Sequence, residues 1–329
     1  MRAITALCLS LFLCGTSAWA ACTGVDLRDQ LSASQSSDLQ SRLKDQAFRH
    51  GNHWVATKED VRLNIIGTLH LDDPRHDAIV KQLKPVLQGA DLLLVEATEA
   101  EERALENAMA LQPDVMFIQT GPSLIDMMSA EEWAALSEAA QARGIPSFMA
   151  AKFQPWYLSL VLGLPPCVMQ QMAQGGRGLD HRIMAEAKKA GVPTAALEPW
   201  DTLFEIFGND PIEDQIEMLK LSVMPVKAAE DAVATLVAQY FDEDHGAVMD
   251  TSRVITKAQV DMAPVAFDTA FDALLDNLLV ARNLAWMDVI AAQKDTRIVI
   301  AVGAGHLSGP HGILKMLQNV GYKMERQPF

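Results

Sequence analysis

Positive charge is scarce in this chain. Its 329 residues carry 27 Lys and Arg against 42 Asp and Glu, a formal net charge of −15. No basic block offsets that excess, so the chain lacks the electrostatic footprint that nucleic acid or anionic lipid requires. Long apolar runs are scarce too. Beyond the N-terminus the closest is WYLSLVLGLPPCVM, Trp156–Met169, interrupted by Gly163, Pro165 and Pro166. It falls short of the roughly 20 residues that span a bilayer. Its length and its breakers predict a buried helix, or else the apolar wall of a binding cleft or a contact with the membrane face. With four cysteines in all, a disulfide-dense scaffold is excluded. Missing as well are the phosphate-cradling G-x-x-x-x-G-K-[ST] loop, the H-E-x-x-H helix and the G-x-S-x-G elbow. What remains is a globular composition, 50% hydrophobic and 21% charged, with enough residues to bury a substantial core.

Residues 1–20 read as a secretory signal. Arg2 supplies the positive end, Ala3 to Cys14 the apolar stretch, and Ala18-Trp19-Ala20 the small-x-small cleavage pattern. Cleavage predicts a periplasmic or secreted protein with no transmembrane segment. It removes Cys8 and Cys14. The remaining pair, Cys22 and Cys167, is then expected to form one disulfide in an oxidising compartment.

The mature chain, 21–329, reads as one α/β domain with a mainly parallel sheet, flanking helices and a helical segment at about 211–292. Val61 to Ile66, a helix over Asp77 to Leu87, and Leu92 to Val95 form a strand–helix–strand unit. Ser129 and Glu132 form a capping box that opens a helix. Short strands are expected around Phe148-Met149 and over Pro193 to Leu197, with a helix from Asp180 to Ala190 between them. Phe267, Phe271, Leu274, Leu278 and Ala281 share one helical stripe. Arg297 to Val302 and Tyr322 to Glu325 restore the strand pattern at the end. Gly175 to Gly178 follows no strand and reads as a flexible loop.

Two segments look alike. Gly67-Thr68-Leu69-His70 and Gly303-Ala304-Gly305-His306 each end a strand with glycine, two residues and histidine. Glycine allows a sharp turn off a strand, and open parallel sheets bind ligands at the carboxyl rim. Glu96 and Glu198 also follow strands. If the strands run parallel, His70, Glu96, Glu198 and His306 meet at one edge. Two imidazoles and a carboxylate suit a divalent transition metal, but the same groups serve for metal-free acid–base work or as plain turn residues. Arg282, on the apolar stripe, needs a partner; with Asn283 it either forms a buried ion pair or points into the site. His50 and His53 read as solvated loop residues. His76 and His311 read as surface or supporting groups, and His181 and His245 lack an evident partner. The acidic run Glu99 to Glu106 reads as a solvated helix face.

These pieces together resemble the TraB/GumN family, related to the TIKI and pheromone-shutdown proteins. The matching motifs are GTLH ending at His70, VEAT around Glu96, GLDHRI around Asp180, ALEP around Glu198, ARNLAWM around Arg282-Asn283 and VGAGHLSG around His306. They run in family order from about residue 50 to the C-terminus. The resemblance implies an α/β fold similar to erythromycin-esterase and ChaN-like proteins. It also implies a metal-dependent hydrolase, because TIKI members are metal-dependent proteases built on the two G-x-x-H motifs and the glutamate. Carried over, the metal ligands are His70, Glu96 and His306, the ion Mn, Co or Zn, and Arg282 and Asn283 supporting groups. Glu198 is expected as general base or ligand-orienting group, and the substrate as a peptide or small molecule. GumN-type members accompany exopolysaccharide genes, so two other readings stand beside it. One is a ligand- or haem-binding envelope protein without turnover. The other is a metal-free acid–base esterase.

Overall fold

The computed structural model describes residues 22–260 and 262–329. The expected signal peptide, with Cys8 and Cys14, lies outside the described residues. A six-stranded sheet organises the rest: β1 (His53–Lys58), β2 (Val61–Thr68), β3 (Leu92–Val95), β4 (Thr194–Ala196), β5 (Arg297–Gly303) and β6 (Lys323–Arg326). The spatial order is β4-β3-β5-β2-β1-β6. The first four of these run parallel, while β1 is antiparallel to both β2 and β6. Fold and sheet are those of an α/β protein.

Alternation along β5 explains both faces of the sheet. Val299 and Ala301 face the helices His76–Gln88 and Leu179–Ala190, against Leu83, Leu87, Ile183 and Ala187. Ile298, Ile300 and Val302 face the other way, against Trp286, Ile290, Ile313 and Leu314. A strand buried on both sides reads as a continuous apolar run, as RIVIAV does. Each such fully buried aliphatic side chain contributes about 1.5–3 kcal/mol. Between β4 and β5 the described residues form helices joined by turns, with no strand, including Ile212–Ser222, Val226–Phe241, Val248–Lys257 and Pro264–Leu275. A further core among helices gathers Leu124, Leu136, Leu158, Leu162 and Leu219.

Several expectations are corrected. Phe148-Met149 is not a strand but part of the short helix Ser147–Ala150, started by Pro146. Phe148 is 74% exposed, so the pair never enters a sheet. Strand β1 escaped the sequence reading because HWVATK is too polar to stand out, and His53 is buried within it rather than solvated. Trp156–Met169 divides into two helices, Pro155–Leu162 and Pro166–Ala173, at its Gly and Pro residues. The long stripe through Phe267 is broken by a π-helical turn, Asp276–Ala281, directly before Arg282. Gly178 is not in a free loop: it caps Leu179–Ala190, and a Cβ there would stand 2.6 Å from the His70 backbone. The Cys22–Cys167 disulfide is present and joins residues 145 apart in sequence. It holds the N-terminal strap, whose Val25 and Leu27 amides donate to Asp231 and Thr235 on the Val226–Phe241 helix.

Candidate active site

Register brings the distant motifs together. Thr68 on β2 pairs with Gly303 on β5, and Val95 on β3 pairs with Ala301 on β5 and Ala196 on β4. Four parallel strands therefore end at one level, and His70, Glu96, Glu198 and His306 follow those ends within a few residues. Gly303 allows the closeness. A Cβ there would stand 3.2 Å from Glu96 Oε1 and 3.3 Å from His70 Nε2. Gly67 does the same for the second turn, where a Cβ would meet Leu307 Cδ1 at 2.8 Å. The resulting cavity holds about 270 Å³ and is lined by His70, Glu96, Arg282 and His306 together with apolar Leu278 and Leu279.

Glu96 Oε1 is the common point. It accepts the Gly303 amide at 2.6 Å, and lies 3.7 Å from His70 Nε2 and 4.0 Å from His306 Nε2. Its other oxygen accepts Arg282 Nη2 at 2.6 Å. Arg282 also grips Glu198 bidentately, at 2.6 and 2.8 Å, the planar fork geometry that a carboxylate favours. Trp286 donates to Glu198 Oε2 at 2.9 Å. Burial would raise the Glu96 carboxyl, but the His70 contact and the charges of His306, His70 and Arg282 outweigh it and hold it well below the usual range. Burial likewise disfavours the Arg282 charge, yet Glu198 and Glu96 more than compensate. The alternatives for Arg282 thus merge: it is a buried ion pair and it lines the cavity.

The two imidazoles are held differently. Asn283 donates its Nδ2 to the carbonyls of His306 and His311, which fixes the amide orientation. Its Oδ1 is then the acceptor for His306 Nδ1 at 2.7 Å. Since Arg282 Nη1, a donor only, faces His306 Nε2 at 3.3 Å, that nitrogen must carry the lone pair. Burial pushes His306 down to about 4, with Glu96 opposing and Arg282 reinforcing the shift. The His306 ring stacks at a tilt on Trp286, centroids 4.4 Å apart. His70 stands at the mouth, its side chain 57% exposed, with Nδ1 3.3 Å from Asp180 Oδ2. Desolvation pulls its pKa down, but Asp180 and Glu96 override this and hold it well above the ordinary histidine range.

The structure therefore brings His70, Glu96, Glu198, Arg282 and His306 together. Asn283 is adjacent, but its polar atoms serve His306 and His311 rather than the cavity. Sequence reasoning missed the orienting roles of Asp180 and Trp286. The signal for Trp286 was its position four residues after Arg282, on the same helix face. His181 does have partners, Glu102 at 2.7 Å and Asp180 at 3.0 Å. His245 is buried against Asn52. His76 is buried beside Tyr240 and Phe241 and does not itself line the cavity.

The donor set suits a divalent ion. Both imidazoles have Nδ1 committed elsewhere and Nε2 near one carboxylate oxygen, the orientation that outer hydrogen bonds impose on metal-binding histidines, although Arg282 Nη1 stands at the His306 lone pair and would have to turn aside for an ion. Ligand atoms around a tetrahedral ion stand about 3.4 Å apart for bonds near 2.1 Å. The observed separations are a few tenths of an ångström wider. As they stand, no three or more His, Cys, Asp or Glu among the described residues are grouped to hold a metal ion.

Comparison with known proteins agrees with the family resemblance. The protein is 26% identical to YbaP of Escherichia coli (strain K12), described as an uncharacterized protein, over 83% of this chain and 96% of that protein. The Shigella flexneri YbaP matches to the same extent. The model of the TraB/PrgY/gumN family spans residues 52–326, from the start of the sheet to its last strand. The chain belongs to the TraB/PrgY/gumN family.

Proposed function

We propose that this protein is a periplasmic or secreted hydrolase that cleaves an amide bond, with a divalent metal held by His70, Glu96 and His306. The observation that carries this reading is the approach of both histidine Nε2 atoms, each backed through Nδ1, to Glu96 Oε1. When bound, the ion, Mn, Co or Zn, would supply Lewis acidity and an activated water at neutral pH. The chain's own residues do the rest. Arg282, whose N–H groups are taken by Glu96, Glu198, Leu278 O and His306, contributes fixed positive charge beside the substrate carbonyl oxygen. Glu198 and Trp286 fix the guanidinium, and Asp180 fixes the His70 ring. The disulfide supports an oxidising compartment.

Elemental analysis of the purified protein tests the metal. Wild type should retain a stoichiometric divalent ion, and the His70→Ala/His306→Ala variant should lose it while remaining folded. Equal metal content in the two would remove the ligand assignment. A second reading, acid–base hydrolysis without metal, draws on the neutral His306 Nε2 and on His70 between two carboxylates. Chelation decides between them: the metal enzyme stops cleaving a peptide library, whereas the acid–base enzyme continues. Saturable ligand binding with no product in either condition would favour the binding-protein reading.

A further inference from the structure

A second cavity opens from the first. It holds about 380 Å³ between the helices Val226–Phe241 and Val248–Lys257. Leu69, His70, Leu236, Val248 and Met249 line both spaces, so the slot begins at the His70 ring and runs away from Glu96.

The sequence makes this slot by leaving the interhelical space underfilled. Facing helices ordinarily interdigitate at crystal-like density. Here the first helix presents Ala228 and Ala232 one turn apart, and the second presents Thr251, Ser252 and Thr256 on the matching face. Small side chains on both surfaces hold the helices together without closing the space. The remaining walls are mostly apolar: Leu71, Leu164, Met224, Val233 and Ile255 add to the shared leucines and methionine, with Thr235 and Gln259 as polar members. Apart from His70, no ionisable side chain lines it among the described residues. Gln239 and Thr251 are buried polar residues of the lining, and Gln239 Nε2 donates to Thr251 Oγ1 at 2.9 Å.

We infer that this slot binds an uncharged hydrocarbon arm of the substrate whose scissile bond lies between His70 and Arg282. The assignment rests on the hydrolase reading for its scissile bond and on the lining alone for its hydrocarbon. Cleft and slot together fall within the range of a single ligand site, about 300–1,000 Å³. Continuity with the cleft makes the occupant part of the substrate rather than a separate effector. An acyl chain and an aliphatic or aromatic peptide side chain share this chemistry.

The test uses the full mature protein and a neutral probe, N-phenyl-1-naphthylamine, displaced by primary alcohols from butanol to decanol. Each added methylene should tighten displacement about fourfold until the slot is full. Ala232→Trp should weaken both dye and alcohols by at least about tenfold, with the circular dichroism spectrum unchanged. Ala228→Leu, a smaller filling, should shorten the longest alcohol that still gains affinity. Affinities independent of chain length, or equal in wild type and the filled variants, would overturn the inference. Turnover then separates the sources. If octanoyl anilides but not short leucyl or phenylalanyl peptides lose cleavage in Ala232→Trp, the arm is acyl; the reverse makes it a peptide side chain. Loss of all turnover in wild type, with chain-length-dependent binding intact, would sink the hydrolase and leave the slot standing. Cleavage of polar peptides without alcohol binding would do the opposite.

Discussion

Asp180 Oδ2 stands 3.3 Å from His70 Nδ1, on the side of the ring opposite Glu96. The carboxylate comes from the first turn of the Leu179–Ala190 helix, and the Leu179 amide donates to Leu69 O at 2.9 Å. Asp180→Asn keeps the shape but removes the charge. It should leave the fold intact and lower the His70 pKa, read from its ring nitrogen shifts by NMR. Metal affinity or activity should fall about 10- to 100-fold. Unchanged His70 titration would show that Asp180 does not orient the ring.

Arg282 ties two carboxylates of different strands to one helix. Removing it leaves Glu198 buried without a counter-charge and Glu96 with His70 alone. Arg282→Leu should therefore destabilise the protein by about 3–5 kcal/mol in urea unfolding. A change below about 1 kcal/mol would mean that the carboxylates find solvent or protons cheaply.

Gly303→Ala tests the tightness of the site. The added methyl meets Glu96 Oε1 and His70 Nε2 at distances that few real side chains tolerate. Sheet pairing should persist, since β5 ends at this residue, while metal content or activity drops. An alanine variant with full function would refute the packing account of the G-x-x-H motif.

The Cys22–Cys167 bridge closes a loop across 145 positions. Cys22→Ser with Cys167→Ser should cost about 2–5 kcal/mol of stability. Reductant should lower the urea midpoint of the wild type but not that of the double variant.

His245 gives a pH dependence. Burial, against an opposing Asp244 charge, drops it from 6.5 to about 4. Its neighbours are Asn52, whose Oδ1 accepts from Nδ1 at 3.1 Å, with His50 and Arg326 opposing the ring's charge. Above about pH 6.5 the ring is neutral in both states and its contribution is complete. Between about 6.5 and 4 the unfolded chain takes a proton that the folded chain refuses, so stability falls as pH falls. The full loss is about 3 kcal/mol. His306 acts in the same direction, so the measurement is the difference between wild type and His245→Gln in urea unfolding at pH 7.5 and 5. Parallel losses in the two proteins would discard His245 as a contributor.

Much of the architecture was legible in local pattern. RIVIAV and LLLV are apolar runs too short for helices and too continuous for surface strands. Ser129 with Glu132 marked a helix start that the structure retains. The polar β1 and the helix at Phe148 were illegible, because nothing in their own residues says which neighbour will cover them. Asp180 showed only as part of a motif: its partner lies 110 positions earlier in the chain.

The sequence by itself determined the α/β pattern, the two glycine–histidine turns and the cysteine pair available for bridging, because spacing, glycine freedom and residue chemistry are local properties. Only the tertiary structure decided that Thr68 and Gly303 share a register, and hence that both histidines approach one oxygen of Glu96. It alone decided that Arg282 binds two carboxylates and that Asn283 serves His306. Those outcomes depend on which strands pair and how helices settle across them, and pairing between residues hundreds of positions apart is fixed by the packing of the whole chain.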